Sequence, residues 1–390
     1  MLSRMASVED LRARARRRLP HFAFDFFDGG AETESNLRRN RAAFEAVTLQ
    51  PRALVDVSKI DTSVCLFGQD YALPFGVAPM GFLNLAWPGT DLALARLAAE
   101  KRMPIGASTA ASTSLEAIAE AAEGHAWFQL YVSTDKDWVS SLLDRAWAAG
   151  FRVLLLTVDS AKPGKRDRDI RNGLQIPFRP TLGHMLDLAR HPRWSLATLK
   201  AGLPRFANAV GPNSPFSSAI PLTELQRRMI SDSFDWEDLK RLRSRWKGSL
   251  VLKGLLNPDD SRLAVAAGCD GIMVSNHGGR QIDYGPTSLE VLPAIRDTVK
   301  GRAELLIDSG IRRGADLIRA KAYGASMALL GRPFAYGAGA GGADGCRQAA
   351  ETVETELTRA LGQLGVVDFN RVDESLVLRG SDSWAPWSNR

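Results

Sequence analysis

The chain is poor in cysteine, has no long apolar run and carries no strong excess of either charge, and each absence removes a class of protein. Three cysteines in 390 residues, Cys65, Cys269 and Cys346, are odd in number, widely separated and without ligand-like neighbours. They argue against a disulfide framework and against a metal site, and they suit a reducing cytosol. No stretch approaches the roughly 18 apolar residues that span a bilayer, and Met1 to Arg18 lacks the apolar core of a signal peptide. The expected location is therefore cytoplasmic. Fifty Lys and Arg against 44 Asp and Glu leave a net charge of +6, a mildly basic surface rather than the footprint of a nucleic-acid-binding protein. No Gly-x-Gly-x-x-Gly follows the first apolar run, which argues against a dinucleotide-binding fold. No internal repeat or low-complexity tract is evident.

What remains is an ordinary globular composition, 45% apolar and 24% charged, in a chain long enough to bury a large core. From about Leu73 onwards eight short β-rich runs alternate with helical patterns. The runs are Pro74 to Ala78, Pro104 to Ala107, Ala126 to Leu130, Arg152 to Thr157, Leu250 to Leu252, Gly271 to Val274, Glu304 to Ile307 and Ser326 to Leu330. Apolar residues at three- and four-residue spacing mark helices over Asp91 to Lys101, Ser114 to Ala122, Lys136 to Ala149, Asp259 to Ala267, Ser288 to Val299 and Ala315 to Tyr323. Such strict alternation predicts an α/β fold closed as a (β/α)8, or TIM, barrel. The expected single domain comprises a helical N-terminal extension (1–72), the barrel (73–363) with an insertion at 161–235 after its fourth strand, and a tail (364–390). The basic run Val8 to Leu19 reads as a solvated helix face.

Barrel enzymes place their chemistry where the strands end, and here the ends carry reactive side chains. Ser275-Asn276-His277-Gly278-Gly279-Arg280 closes the sixth run. It sets an imidazole, a side chain able to accept a proton, three residues from a guanidinium able to fork onto a carboxylate. Lys253 ends the fifth run, where a buried cation calls for an anionic partner. Gly310 and Arg312 follow the seventh run and Gly331-Arg332 the eighth, the placement expected of a phosphate site. The insertion mixes aromatic and basic residues with prolines, as in Pro177-Phe178-Arg179-Pro180, His191-Pro192-Arg193-Trp194 and Leu203-Pro204-Arg205-Phe206. It reads either as an active-site lid or, over 186–206, as a basic amphipathic segment lying on a membrane surface.

These motifs, in this order, resemble the FMN-dependent 2-hydroxy acid dehydrogenase and oxidase family, which includes glycolate oxidase, lactate dehydrogenases and mandelate dehydrogenase. The likeness covers nearly the whole chain: Leu19-Pro20, Asp25 to Glu32, Phe128-Gln129-Leu130-Tyr131, Leu156-Thr157-Val158-Asp159, Lys253-Gly254, Ser275 to Asp283 and Asp308 to Gly314. Trp87-Pro88 followed by Asp91 to Arg96 resembles the mandelate dehydrogenase branch in particular.

The resemblance implies FMN as cofactor and oxidation of an (S)-2-hydroxy acid to the 2-oxo acid. His277 would be the catalytic base and Asp159 the stabiliser of its imidazolium form. Arg280 and Arg166 would hold the substrate carboxylate, with Tyr131 hydrogen-bonded to the substrate. The flavin would lie on Pro79-Met80-Gly81, with Ser108, Gln129, Thr157 and Lys253 bonding its ring and Ser275 its ribityl chain. Asp308, Gly310, Arg312, Gly331 and Arg332 would bind the ribityl and phosphate end. Phe24 stands as the aligned equivalent of a family tyrosine, which weakens the grip on a small acid. Gly81 and Ala110, smaller than their counterparts in glycolate-oxidising relatives, imply a roomier pocket for an aryl or long-chain acid. Electrons would pass to a quinone, another carrier or dioxygen, and the assembly would be a tetramer, peripheral on the inner face of the plasma membrane if the insertion meets lipid. An amine or modified natural product as substrate, a non-enzymatic binding module and a phosphate-binding isomerase are competing readings.

Overall fold

A computed structural model describes residues 5–173, 180–208 and 230–378. Residues 177–179 of the proline-rich run and 379–390 of the tail therefore lie outside the described residues. An antiparallel hairpin, β1 (Val64–Leu66) and β2 (Gln69–Tyr71), precedes eight parallel strands: β3 (Phe75–Val77), β4 (Ile105–Ser108), β5 (Ala126–Tyr131), β6 (Val153–Thr157), β7 (Ser249–Leu255), β8 (Gly271–Val274), β9 (Glu304–Ile307) and β10 (Met327–Leu330). These eight close in chain order, β10 pairing with β3, into the barrel that the alternation predicts. The strands read as unbroken apolar runs because both of their faces are covered, one by the barrel interior and one by the outer helices. In β6 and β8 every residue is buried.

Two features direct the chemistry to one end. At the amino end the hairpin acts as a plug. Phe67 packs edge-on to Trp127 near the start of β5 at 5.8 Å. A Cβ at Gly271, the first residue of β8, would come within 2.9 Å of the Phe67 ring. At the carboxyl end the loops form an open cavity. The N-terminal extension adds three helices, α1 (Val8–Arg18), α2 (His21–Asp28) and α3 (Ser35–Glu45), of which α2 supplies residues to the cavity wall. Asp28 ties α2 down, accepting from Arg12 at 2.6 Å, from Arg168 at 2.9 Å and from the Tyr336 hydroxyl at 2.7 Å. Burial alone would raise the pKa of this carboxyl, but its bonds to Arg12 and Tyr336 hold it well below the usual range.

The helices α4 (Thr90–Lys101), α5 (Leu115–Ala122) and α6 (Lys136–Ala148) follow the first three barrel strands. The insertion after β6 contributes α7 (Asp167–Arg171), α8 (Leu182–Arg190) and α9 (Pro192–Ala201). Trp194 anchors α9 by donating its indole N–H to the Leu85 carbonyl at 3.0 Å and by an edge contact with Phe22 at 5.8 Å. His184 on α8 bonds the Asn172 carbonyl at 2.8 Å. The opposite faces of α8 and α9 are left to solvent.

Candidate active site

His277 is placed by backbone geometry before any side-chain contact is made. It is one of three successive residues in the left-handed region, with φ of 58° at His277, 68° at Gly278 and 71° at Gly279. This conformation costs a β-carbon-bearing residue and is tolerated where the surroundings over-determine it. Here they do: Asn276 and Asn40 of α3 exchange amide hydrogen bonds at 2.7 and 2.9 Å, and Gly279 donates back to Asn276. A Cβ at Gly279 would lie 2.8 Å from the Leu37 nitrogen, so α3 could not pack there against another residue.

The imidazole is held at both ends. Nδ1 lies 2.9 and 3.0 Å from the two oxygens of Asp159, and Nε2 lies 3.3 Å from the Tyr131 hydroxyl. Burial alone would raise the pKa of Asp159, but the fields of His277 and Lys253 bring it down to about 2. An ionised carboxylate only accepts, so it keeps the proton on Nδ1 and leaves Nε2 as the acceptor facing the cavity. Room for Asp159 comes from a bulge in β7, where the pairing register with β8 shifts between Lys253 and Leu255. Gly254 sits there at φ 110°, and a Cβ on it would fall 2.5 Å from that of Asp159. Bulges beside active sites commonly re-aim side chains in this way.

Lys253, 3% exposed, donates to Ser275 Oγ at 3.0 Å and lies 3.4 Å from Asp308. Burial disfavours its charge, yet Asp308 and Asp159 outweigh that and raise its pKa. Ser108 donates to Gln129 at 2.8 Å and Gln129 to Thr157 at 2.9 Å, forming a buried polar row across β4, β5 and β6. In the same row Thr157 pairs with Lys253.

The cavity is lined by Pro79, Met80, Gly81, Ala110, Tyr131, Arg166, Lys253, His277, Arg280, Asp308, Gly310, Arg312, Gly331 and Arg332, all singled out in the sequence. Asp159, Ser108, Gln129, Thr157 and Ser275 are not lining residues; Asp159 stands behind His277 and the others form the polar row and the Lys253 contact. Gly81 and Ala110 face each other so closely that a Cβ at 81 would meet that of Ala110 at 2.9 Å. Larger side chains there would fill this part of the cavity.

One expectation is overturned. Phe24 does not reach the cavity: it is buried against Tyr336, with Arg12 6.0 Å from its ring. The ring that faces the cavity is Phe26, 5.4 Å from the Arg280 guanidinium and 5.8 Å from that of Arg166. Two residues apart on a helix is roughly 200° of rotation, so the two phenylalanines of α2 face opposite ways. The string Phe-Asp-Phe hides this, because only the helical phase tells them apart. Of the further lining rings, Phe82 gave no sequence signal, and Phe206 was marked only as part of an aromatic and basic run in the insertion; loops bring the two together.

Charge in the cavity is unbalanced. Arg280 donates to the Phe26 and Gly29 carbonyls at 2.8 and 2.9 Å. Arg332 donates to Phe27, Gly278 and Gly29 carbonyls at 2.8–3.0 Å, and Arg312 to the Ile311 carbonyl at 2.9 Å. Among the described residues none of these three forms an ion pair with a carboxylate. Burial, then repulsion by Arg166, brings Arg280 down to about 9; burial also brings Arg332 down to about 10. Buried cations left to backbone carbonyls call for anions from outside. The Arg312 and Arg332 end, at the start of the helix Arg332–Gly341, fits a phosphate, and the apolar stretch over Ala78, Met80 and Leu330 fits a flat ring. The site therefore suits FMN together with a carboxylate near Arg280 and Arg166. No group of acidic, His or Cys side chains that could hold a metal occurs among the described residues.

Comparison with known proteins agrees with this fold. The profile of the FMN-dependent dehydrogenase family matches residues 15–379. The chain is 38% identical over 369 residues to (S)-mandelate dehydrogenase of Pseudomonas putida, covering 95% of this chain and 93% of that protein. It is 38% identical over 380 residues to an L-lactate dehydrogenase of Xanthobacter autotrophicus, covering 96% of each. The crystal structure of the monotopic membrane protein (S)-mandelate dehydrogenase superimposes with a TM-score of 0.92 at 36% identity, covering 96% of this chain and 99% of that one.

The loop that carries Ala110 is held by a titratable clamp. Asp91, 3% exposed, accepts from the Ser112 N–H at 3.1 Å, and burial pushes its pKa up to about 6. A raised carboxyl pKa means that the folded state holds the proton longer. The resulting stability is complete below the unfolded value near 4 and is lost as pH rises through 6, at most about 3 kcal/mol for a shift of this size. Thermal melts of wild type and Asp91→Asn between pH 4 and 8 are expected to differ by an amount that changes across pH 4–7 and is flat above. A difference independent of pH would contradict this account.

Proposed function

Because the chain belongs to the FMN-dependent dehydrogenase family, we propose that it oxidises an (S)-2-hydroxy acid with an aryl or otherwise bulky side chain to the 2-oxo acid, passing the electrons to a quinone or another carrier. The observation that carries this reading is a base held at Nδ1 by Asp159, in a cavity also lined by two guanidinium groups, His277 with Arg166 and Arg280. FMN, when bound, supplies the acceptor for the two electrons that leave the substrate. The chain's own residues then bind, orient and move a proton. Arg280 and Arg166 grip the substrate carboxylate, and Tyr131 bonds the substrate hydroxyl. His277 takes up a proton at Nε2, and the ionised Asp159 behind it stabilises the resulting imidazolium. Lys253 with the polar row Ser108, Gln129 and Thr157 would hold the flavin ring, and Ser275 the ribityl chain. Asp308, Gly310, Arg312, Gly331 and Arg332 would hold the ribityl and phosphate end, with Pro79-Met80-Gly81 beneath the ring.

Phe26 bears on substrate size. A tyrosine in that place would add a hydrogen bond to the carboxylate worth about 1.5–3 kcal/mol, and phenylalanine forgoes it. Burying an aryl side chain contributes about 1.5–3 kcal/mol relative to leaving it in water, enough to offset the loss, whereas the methyl of lactate is not. The small size of Gly81 and Ala110, both of which line the cavity, supports the same preference.

The exposed faces of α8 and α9 support contact with a membrane surface. Of twelve exposed large apolar residues among the described residues, six lie between 182 and 203: Leu182, Met185, Leu186, Leu196, Leu199 and Leu203. Arg190, Arg193, Lys200 and Arg205 are interspersed with them and also exposed. No described helix is long and apolar enough to cross a bilayer, so this face would lie on the surface rather than span it. A carrier dissolved in lipid would then be close at hand.

Two measurements test the proposal. Anaerobic addition of (S)-mandelate is expected to bleach the bound flavin faster than lactate does, with (R)-mandelate inert. A yellow protein that none of these acids bleaches would refute the substrate assignment, and rapid recolouring in air would favour dioxygen as acceptor over a quinone. In sedimentation with phosphatidylethanolamine–phosphatidylglycerol vesicles, the wild type is expected in the pellet and the triple variant Leu186→Glu, Leu196→Glu, Leu199→Glu in the supernatant. Equal partition of the two would remove the membrane contact.

A further inference from the structure

Part of the cavity wall is aromatic and assembled from distant parts of the chain. Phe26 comes from α2, Phe82 from the loop after β3 and Phe206 from the segment after α9. The Phe82 and Phe206 rings are 4.6 Å apart at 43°, and those of Phe26 and Phe82 are 6.4 Å apart at 59°. Phe82 holds a left-handed backbone at φ 62°, unusual for a bulky residue and retained where surrounding contacts fix it. Phe206, 8% exposed, is stapled in place by its neighbours. The Ala207 N–H donates to the Ala111 carbonyl at 3.1 Å. Asn208 accepts from the Leu115 N–H at 2.9 Å and donates to the Thr113 carbonyl at 3.2 Å. The end of this segment is thus tied to the loop that carries Ala110, which faces the same cavity.

We infer that Phe206, backed by Phe82, is a specificity-determining residue: it forms the wall against which the side chain of the 2-hydroxy acid packs, and it selects a flat aryl group. This rests on the proposed reading of the site as a 2-hydroxy acid binding cavity. Arg166 and Arg280 fix the carboxylate, and beside them the cavity offers ring faces and edges. An aryl substituent can meet those in edge or offset contact, whereas a methyl group leaves most of that surface unused. A single methylene in an apolar pocket discriminates by about 10–200-fold, so a whole ring provides ample selectivity. Phe206 also lies three residues beyond Leu203, the last exposed leucine of the α8–α9 face. The segment with the candidate membrane face therefore also supplies a wall of the cavity.

The test uses the flavin-loaded protein and equilibrium binding, which needs no turnover. Phenylglyoxylate and pyruvate, the aryl and methyl 2-oxo acids, are titrated while the visible spectrum of the bound flavin is followed, in wild type, Phe206→Leu and Phe206→Ala. Flavin content and melting temperature report whether each variant is folded, and Phe206→Leu keeps much of the packing should the alanine variant fail. Expected is a loss of tenfold or more in phenylglyoxylate affinity for Phe206→Ala, a smaller loss for Phe206→Leu, and less than a twofold change for pyruvate. Equal changes for both acids, or none for either, would overturn the inference. If the binding pattern holds but wild type oxidises neither mandelate nor lactate, the aryl wall stands and the oxidation reading fails.

Discussion

Positive charge buried at the carboxyl ends of the barrel strands is the constraint on which the rest of the structure depends. Lys253, Arg280, Arg312 and Arg332 converge there, where the effective penalty for each uncompensated ion is several kcal/mol. Carboxylates answer part of it: Asp159 and Asp308 hold Lys253 in its charged form, and Asp169 lies 3.3 Å from Arg166. The end of α2 answers another part. Its Phe26 and Phe27 carbonyls, and that of Gly29 just beyond, accept from Arg280 and Arg332, as the partial negative charge at a helix carboxyl terminus favours. The N-terminal extension is thus an electrostatic counterpart of the barrel mouth, and the clamp of Asp28 by Arg12, Arg168 and Tyr336 keeps it in register. On the proposed reading, the remaining imbalance is met by two anions, a phosphate at one end and a carboxylate at the other.

Backbone geometry turns this charge into a directed site. The bulge at Gly254 lets Asp159 lie against β7, and the left-handed run from His277 to Gly279 turns the imidazole onto that carboxylate. Both features sit at the ends of neighbouring strands, β7 and β8, so the barrel closure that fixes the strands fixes the pair. The loops above are more loosely specified and contribute the walls. On the proposed reading, shape selectivity resides in α2, the loop after β3 and the segment after α9, while proton transfer resides in the barrel.

The architecture was legible in the sequence because fully buried parallel strands leave unbroken apolar runs, and all eight were found within a few residues of their observed ends. The reactive residues were legible for a related reason: strand ends are where barrel loops converge, so His277, Lys253, Arg312 and Arg332 could be grouped without knowing the loops. What failed was local phase and tertiary closure. Phe24 and Phe26 are both aromatic neighbours of Asp25, and only the turn of α2 assigns one to Tyr336 and the other to the cavity. The place of Phe206 in the cavity wall was unreadable because it depends on the bonds from Ala207 and Asn208 to the loop after β4, contacts about ninety residues apart in sequence. The insertion could not be assigned as lid or surface segment from its composition. In the structure α8 and α9 expose Leu182, Leu186, Leu196 and Leu199, while Phe206 beyond them reaches the cavity.

The central claim is that an imidazole held by Asp159 accepts the substrate proton in a cavity whose arginines bind the acid independently of that step. The most direct test is the rate of anaerobic flavin reduction by (S)-mandelate in wild type, His277→Gln and Asp159→Asn, with binding followed separately through the spectrum of the bound flavin. The account predicts that both variants keep the flavin, that His277→Gln still binds the acid, and that its reduction slows by about 10²–10⁴-fold, the range for loss of a positioned base, with a smaller loss for Asp159→Asn. Reduction of His277→Gln at the wild-type rate would contradict it.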